Sequence, residues 1–370
     1  MMEHFNFNAQ DDSFNAIIDS IVESAQARYE AKSEPSKEDL RLQNEAIVKY
    51  ALEGTRFEAK FEQEGLACMK NPQITKNETV RSNFEAVIAE VINAIAPSVT
   101  SADYSRFLAE VRQIGWGDTG RFIIRSNELF KVNEIAEGVN RGVLQPIFDN
   151  EVTVNPSPIE IATAIDWYAV AAGVFDWGDF GLRAGRSFEA YIFLKVIAAM
   201  SSVTDMTSVS SGQVSGYLAN GYTPANWTAL VQKVSAANGG APVYAIGSLG
   251  ALMKVNNNGN GALGLQYFVG EDYLSKGYLD KFLGARMIPV DPALVPTTIN
   301  TSAKLAVPDN KIYLVAADSY KPVKIVFEGT SMTVERIPEE TTDKRYGIRI
   351  QMRVGISAIV GSKFGRIDLQ

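Results

Sequence analysis

"TTDKRYGIRIQMRVGISAIVGSKFG" covers residues 341–365, and its alternating pattern decides the fold class. Every second residue is apolar: Tyr346, Ile348, Ile350, Met352, Val354 and Ile356. The residues between them are polar or glycine: Gly347, Arg349, Gln351, Arg353, Gly355 and Ser357. Strict alternation over this length predicts one long strand with a buried face and an open face, although strands usually have about 5–6 residues. The pattern therefore predicts that Arg349 and Arg353 lie on the open face.

The rest of the chain mixes helical and strand patterns. Apolar residues at helical spacing predict helices over 13–31, 40–65, 78–97, 181–200, 223–240 and 271–284. Ser13 is the expected cap of the first helix, Pro97 the expected end of the third, and Thr223 the expected cap of the fifth. Strand patterns occupy 159–167, 241–248, 285–290, 311–319, 321–329 and 332–337. Because no βαβαβ series is present, the sequence predicts an α+β fold and no dinucleotide-binding fold.

Composition excludes several classes of function. The 370 residues include one cysteine, Cys68, and one histidine, His4, which leaves little for a zinc site, a Cys–His pair or a serine triad. The net charge is −8, and residues 1–66 hold 14 Asp/Glu against 7 Lys/Arg, so the remainder is nearly balanced. We expect no basic field for nucleic acid, no membrane span and no secretory signal.

Residues 116–158 form a predicted β-hairpin with its tip near 137–142. Its apolar residues, among them Phe122, Ile124, Phe130 and Val132, exceed what a free hairpin tolerates, because two-stranded hairpins are marginal alone. We therefore expect neighbouring chains to supply the burial, both for the hairpin and for the first hundred residues.

No stretch carries a recognisable catalytic motif. The glycine-rich segment 239–264 lacks the phosphate-binding strings and is read as a surface loop. Asp343 beside Lys344 and Arg345 is interpreted as a group of solvent-facing or interface charges. Asp176 and Asp179 could form a carboxylate pair, but the kinase-like DFG string there lacks the other kinase motifs and is discarded. The sequence thus predicts no catalytic, cofactor-binding or metal-binding residue, and no enzyme. A sugar- or peptide-binding α+β protein would need a convergent polar pocket that the pattern does not show.

The order of elements resembles the major capsid protein of tailed bacteriophages, with the Hong Kong 97 fold. Three segments carry the resemblance: "YLSKGYLDKFLGARMIPVD", "KIYLVAADSYKPVKIVFEG" and "TTDKRYGIRIQMRVGISAIVGSKFGRI". The resemblance implies a helical N-terminal arm over 1–115 and an extended loop over 116–158. It also implies a peripheral domain over 159–202 and 321–360, and an axial domain over 203–320 and 361–370.

A subunit of this kind is expected to assemble with itself into pentamers and hexamers of an icosahedral or prolate head that encloses double-stranded DNA. The expected locations are the virion and, during assembly, the host cytoplasm. Scaffold, portal and decoration proteins are further partners that the resemblance implies. The expected contact residues between subunits are Phe122, Ile124, Phe130, Lys131, Val132, Arg349 and Arg353. The alternative is an encapsulin-type compartment, which resembles the same fold but binds cargo enzymes.

Overall fold

The structure is a computed structural model. It describes residues 12–29, 35–99, 108–124, 130–132, 145, 150–202, 209–211, 213–255, 276, 278–290, 294–295, 298, 301–317, 321–342, 344–358 and 364–369. These residues mix helix and strand, and the α+β prediction is confirmed. The chain divides into two compact units. Unit 1 comprises 1–102, 158–189 and 330–353; unit 2 comprises 103–157, 190–329 and 354–370.

The helices of the first hundred residues all belong to unit 1. They are α1 (Asp12–Tyr29), α2 (Lys37–Leu52), α3 (Glu58–Glu64), a 3₁₀ helix (Gly65–Lys70), α4 (Pro72–Thr75) and α5 (Glu78–Val99). Ser36 starts α2 through a reciprocal capping box: its Oγ accepts from the Asp39 amide, and the Asp39 carboxylate accepts from the Ser36 amide. Ser13 lies inside α1 and is not its cap, and α5 continues past Pro97.

The other helices are α6 (Trp167–Ala171), α7 (Trp177–Ser202), α8 (Pro224–Ala237) and a short helix over 249–255. The predicted long helix over 181–200 is confirmed as α7, which begins earlier than expected. Thr223 caps α8 as predicted, because its Oγ1 accepts from the Asn226 amide at 3.1 Å.

In the core of unit 1, the long strand predicted around residues 346–357 packs against the N-terminal helices. Phe84 of α5 lies at the centre, with its ring centroid 5.6 Å from that of Tyr346 and 4.8 Å from that of Trp167. Tyr346, Ile348 and Ile350 are fully buried in the same cluster, which also contains Phe188 of α7. The apolar faces of α1, α2 and α5 are therefore covered within the chain. The expectation that neighbouring chains must bury the first hundred residues is wrong. Residues much later in the sequence, among them Tyr346, Ile348 and Ile350, already bury the apolar side chains of these helices.

A four-stranded sheet has the order β1 (Ala109–Ile114), β11 (Val323–Arg336), β12 (Arg345–Ala358) and β4 (Ser157–Asp166). The predicted long strand is confirmed as β12, which has 14 residues, as does β11. β1 pairs in parallel with β11, Ala109 opposite Val323, a pairing that the sequence pattern did not predict. A separate two-stranded ladder joins β2 (Gly120–Ile124) to β3 (Asn150–Val154).

Unit 2 is organised around a seven-stranded sheet. Its order is β5 (Val214–Ser215), β6 (Leu218–Asn220), β13 (Phe364–Asp368), β10 (Lys311–Ala316), β7 (Val243–Gly247), β9 (Ala285–Pro289) and β8 (Lys281–Phe282). Its core contains Trp227 and Leu230 of α8 against Ile312, Leu314 and Ile367 of the sheet.

Two sequence predictions in unit 2 need correction. The predicted helix over 271–284 ends in a strand pair, because Leu283 (φ 41°) and Gly284 (φ 88°) form the turn that returns β8 to β9. Residues 271–275 and 277 lie outside the described part of the chain. The stretch 239–264 is no simple loop, since it supplies β7 and the helix over 249–255, and its residues 256–264 are not described.

Candidate assembly surface

The base of the predicted hairpin is present and packs against β11. β2 and β3 are antiparallel, with Gly120 opposite Val154. The Phe122 side chain is buried with Val154 and Val326. A Cβ placed on Gly120 would lie 2.4 Å from Cγ2 of Val326, so only glycine permits this close approach. The hairpin is confirmed at its base, whereas its expected tip near 137–142 lies outside the described residues.

One carboxylate organises the charges around this base. Glu110 pairs with the Lys324 ammonium, whose side chain is 1% exposed, and with Nη2 of Arg112 at 2.8 Å. Arg112 lies over the Phe122 ring at 4.4 Å and Lys324 at 5.4 Å. Burial alone would raise the pKa of Glu110, but the hydrogen bonds and charges of Lys324 and Arg112 outweigh it and lower that pKa. The carboxylate therefore stays ionised at neutral pH and counters a buried cation.

The described residues of the hairpin also expose apolar side chains, both in the base and beyond it. Phe130 is 57% exposed, Val132 93% and Ile123 66%. Lys131 between them is also exposed, and its backbone is held by the amide of Gln145: the Lys131 N–H donates to Oε1, and Nε2 donates to the Lys131 carbonyl, both at 2.7 Å. This side-chain bridge supports an otherwise open apolar stretch.

A turn between β1 and β2 adds an exposed indole that the sequence reading missed. Trp116 is 67% exposed, and the turn is closed by the Asp118 amide, which donates to the Gly115 carbonyl at 3.3 Å. The Gly117 amide donates to Oε1 of Glu328 at 2.8 Å, so β11 holds the turn. Exposure of an indole depends on these distant partners and leaves no local signal in the sequence.

The predicted contact residues thus occupy different environments. Phe130, Lys131 and Val132 are exposed, as a contact role requires. Phe122 is buried within its own chain, because the hairpin base folds onto β11, and it leaves almost no surface for a neighbour. Ile124 is paired through its backbone with Asn150, and its side chain is not described.

The face of β12 expected to be open is partly covered. A Cβ on Gly347 would lie 2.7 Å from Cβ of Glu340, and one on Gly355 would lie 2.8 Å from Cγ1 of Val154. Arg349 has an ion pair within its own chain, since its Nε lies 3.1 Å from Oε2 of Glu160 on β4, but its side chain is still 41% exposed. Arg353 is exposed. Gly347 and Gly355 thus lie where other segments of the chain cross β12, and the face is open only between these two positions.

The described residues offer little reaction chemistry. No group of three or more His, Cys, Asp or Glu among them could hold a metal ion. Asp176 accepts from the Asp179 amide at 2.8 Å, and Asp179 pairs with Arg183, so both carboxylates serve the start of α7. Cys68 is fully buried, which raises the pKa of its thiol to about 11. None of the described helices is long and apolar enough to cross a membrane.

These observations describe an α+β protein in which several of the exposed apolar side chains lie on a supported hairpin and turn, a surface suited to contacts with other proteins. The chain belongs to the family of the "SPbeta prophage-derived putative capsid protein YonB", which matches residues 26–368. It is thus a member of a capsid protein family. No curated protein matches the chain at a significant level.

Several solved shell structures are similar at low identity. The capsid of the cyanophage P-SCSP1u is 13% identical with a TM-score of 0.47, covering 72% of this chain and 87% of that one. The head of the Helicobacter pylori bacteriophage KHP40 is 10% identical with a TM-score of 0.46, covering 70% and 87%. A virus-like particle from Pyrococcus furiosus is 13% identical with a TM-score of 0.40, covering 75% and 96%. Membership of the family follows from the match over residues 26–368 alone.

Proposed function

We propose that this chain is the major capsid subunit of a phage head, which assembles with itself into pentamers and hexamers and encloses double-stranded DNA. The observation that carries the proposal is the family match over residues 26–368. We further propose a structural and non-enzymatic role, in the virion and in the host cytoplasm before that. Scaffold, portal and decoration proteins stay predictions from the resemblance.

The hairpin is the proposed contact between subunits. Phe130 and Val132 present apolar surface that nothing in the described part of the chain covers, and Lys131 lies between them. Exposed apolar surface of this kind marks interaction sites, because moving it from water into contact with another apolar surface is favourable. In this proposal each copy presents its hairpin to one neighbour and receives that of another, a heterologous contact, which generates rings where the rotation between copies closes.

Expression of the chain alone, followed by electron microscopy of negatively stained particles, tests the proposal. Closed shells, or rings of five and six copies, are the expected result. A monodisperse monomer at high concentration over a range of salt would contradict it.

The encapsulin-type alternative is distinguished by what assembled particles contain when they are isolated from the native source. Nuclease-protected double-stranded DNA supports the phage head. Particles that lack nucleic acid and hold a stoichiometric enzyme support the compartment.

A further inference from the structure

The turn between β1 and β2 exposes the one accessible indole among the four tryptophans, all of which are described. Trp116 is 67% exposed, whereas Trp167, Trp177 and Trp227 are at most 1% exposed. Tryptophan is enriched among the residues that dominate protein interfaces, because its large apolar ring loses few rotamers on burial. The exposure of Trp116, when the other three tryptophans are buried, therefore needs a physical explanation.

Three contacts hold the turn in place. The Gly117 amide donates to Glu328, which is buried, and Nε2 of Gln113 donates to the Gly329 carbonyl at 2.6 Å. Gly329 has a φ of +79°, and a Cβ there would lie 3.3 Å from the indole ring atoms of Trp116. The indole therefore rests against a glycine backbone that leaves room for it. A side chain that is already fixed loses little conformational entropy when a partner covers it.

We propose that Trp116 is an anchor of the contact between copies of this chain, and that assembly buries it against an apolar surface of a second copy. This inference rests on the proposed function. The occupant is a second copy because the turn leads directly into β2 and the hairpin proposed as the contact between copies, where Ile123, Phe130 and Val132 also expose apolar side chains. Asp118 and Glu328 beside the indole disfavour a nucleic-acid partner, since carboxylates repel phosphates.

Fluorescence quenching by acrylamide tests the inference on the full chain, because only Trp116 is open to the quencher in the unassembled subunit. We expect strong quenching of free subunits, and a loss of most of that quenching with a shift to shorter emission wavelength in shells. The Trp116→Phe variant identifies the signal, since it removes the quenchable part and keeps an aromatic ring. Shells in which Trp116 remains quenchable would overturn this inference alone, and the absence of any assembly would overturn the proposed function as well.

Substitution gives an independent measurement. Trp116→Ala is expected to raise the subunit concentration needed for assembly at least about tenfold, the effect of losing a typical anchor residue. Leu42→Ala is the matched control, since Leu42 is 55% exposed on α2, outside the turn and hairpin, and it should leave assembly unchanged. Assembly of Trp116→Ala at the same concentration as the unaltered chain would contradict the proposal.

Discussion

Glycines mark the places where segments of this chain come closest. Gly120 faces Val326, Gly347 faces Glu340, and Gly355 faces Val154. In each case a Cβ on the glycine would lie less than 3.0 Å from an atom of the facing residue. In sequence, Gly347 and Gly355 were counted with the polar residues of an open strand face. Their environment shows that other segments cover the face at these two positions, where a side chain would not fit.

Gly120→Ala should destabilise unit 2 by about 1–3 kcal/mol, the usual cost of overpacking a filled core. The added methyl would meet Val326, which is fully buried and β-branched, so it cannot rotate away. Urea unfolding of the unassembled subunit measures the loss.

The Val326→Ala variant provides the control for this clash. Val326→Ala removes the two methyl groups that the new Cβ at position 120 would meet. The loss of unfolding free energy in the double variant should therefore be about 1 kcal/mol smaller than the sum of the losses in the two single variants. Strict additivity would show that the close approach at Gly120 does not determine the cost.

Among the elements, β12 is the one that the sequence predicted best. The alternation placed Tyr346, Ile348 and Ile350 on the buried face, and all three are fully buried. Phe188 of α7 shares their cluster, and α5 supplies the central ring, Phe84. Local patterns therefore gave the strand and its faces, whereas the element that covers it came from a distant part of the chain.

Ile350→Asp should yield insoluble protein, because an unpaired carboxylate in this cluster costs about 3–5 kcal/mol. Arg349→Glu with Arg353→Glu should behave differently. The Arg349–Glu160 pair is exposed and contributes about 0–1 kcal/mol, so thermal unfolding should stay nearly normal while assembly changes with salt.

The charge exchange Arg349→Glu with Glu160→Arg separates the two roles of Arg349. It restores the pair within the chain but reverses both charges toward a neighbouring subunit. Recovery of normal assembly would assign Arg349 to the subunit itself and would contradict a contact role. Normal assembly of the Arg349→Glu, Arg353→Glu variant would contradict a contact role for both arginines.

Several features of the candidate surface could not be predicted from the sequence. Phe122 and Ile123 are adjacent and both apolar, so alternation alone cannot say which is buried; the position of β11 decides that Phe122 is. The parallel pairing of Ala109 with Val323 leaves no local signal, since parallel strands need no turn between them. Thr223 and Pro224, in contrast, specify the start of α8 by contacts within one helical turn, and the prediction there is confirmed.

At the scale of the whole molecule, the two units fold around separate cores, and the hairpin belongs to unit 2. Replacing residues 125–149 by Asn-Gly should therefore leave a folded, soluble subunit. Ile124 and Asn150 are opposite each other, and an Asn-Gly pair closes such a ladder with a two-residue turn. Because Phe130 and Val132 are removed, the variant should form no stable shells in electron microscopy.

The control for the hairpin is Leu42→Ala, which removes an exposed apolar side chain and keeps the hairpin intact. It should assemble, because Leu42 lies on α2 and outside the hairpin. Unchanged assembly of the Asn-Gly replacement would refute the role of the hairpin, and circular dichroism would verify that the shortened chain is folded.

The place of β13 in the seven-stranded sheet has a consequence for the synthesis of the protein. This strand lies between β6 and β10, although it is the last of the sheet's strands to be translated. Until residue 368 has left the ribosome, β6 and β10 each present an unpaired edge, and unpaired edges can associate with strands of other chains. A chain terminated before residue 364 cannot complete unit 2. The strand order thus makes completion of the seven-stranded sheet depend on synthesis of the chain through residue 368.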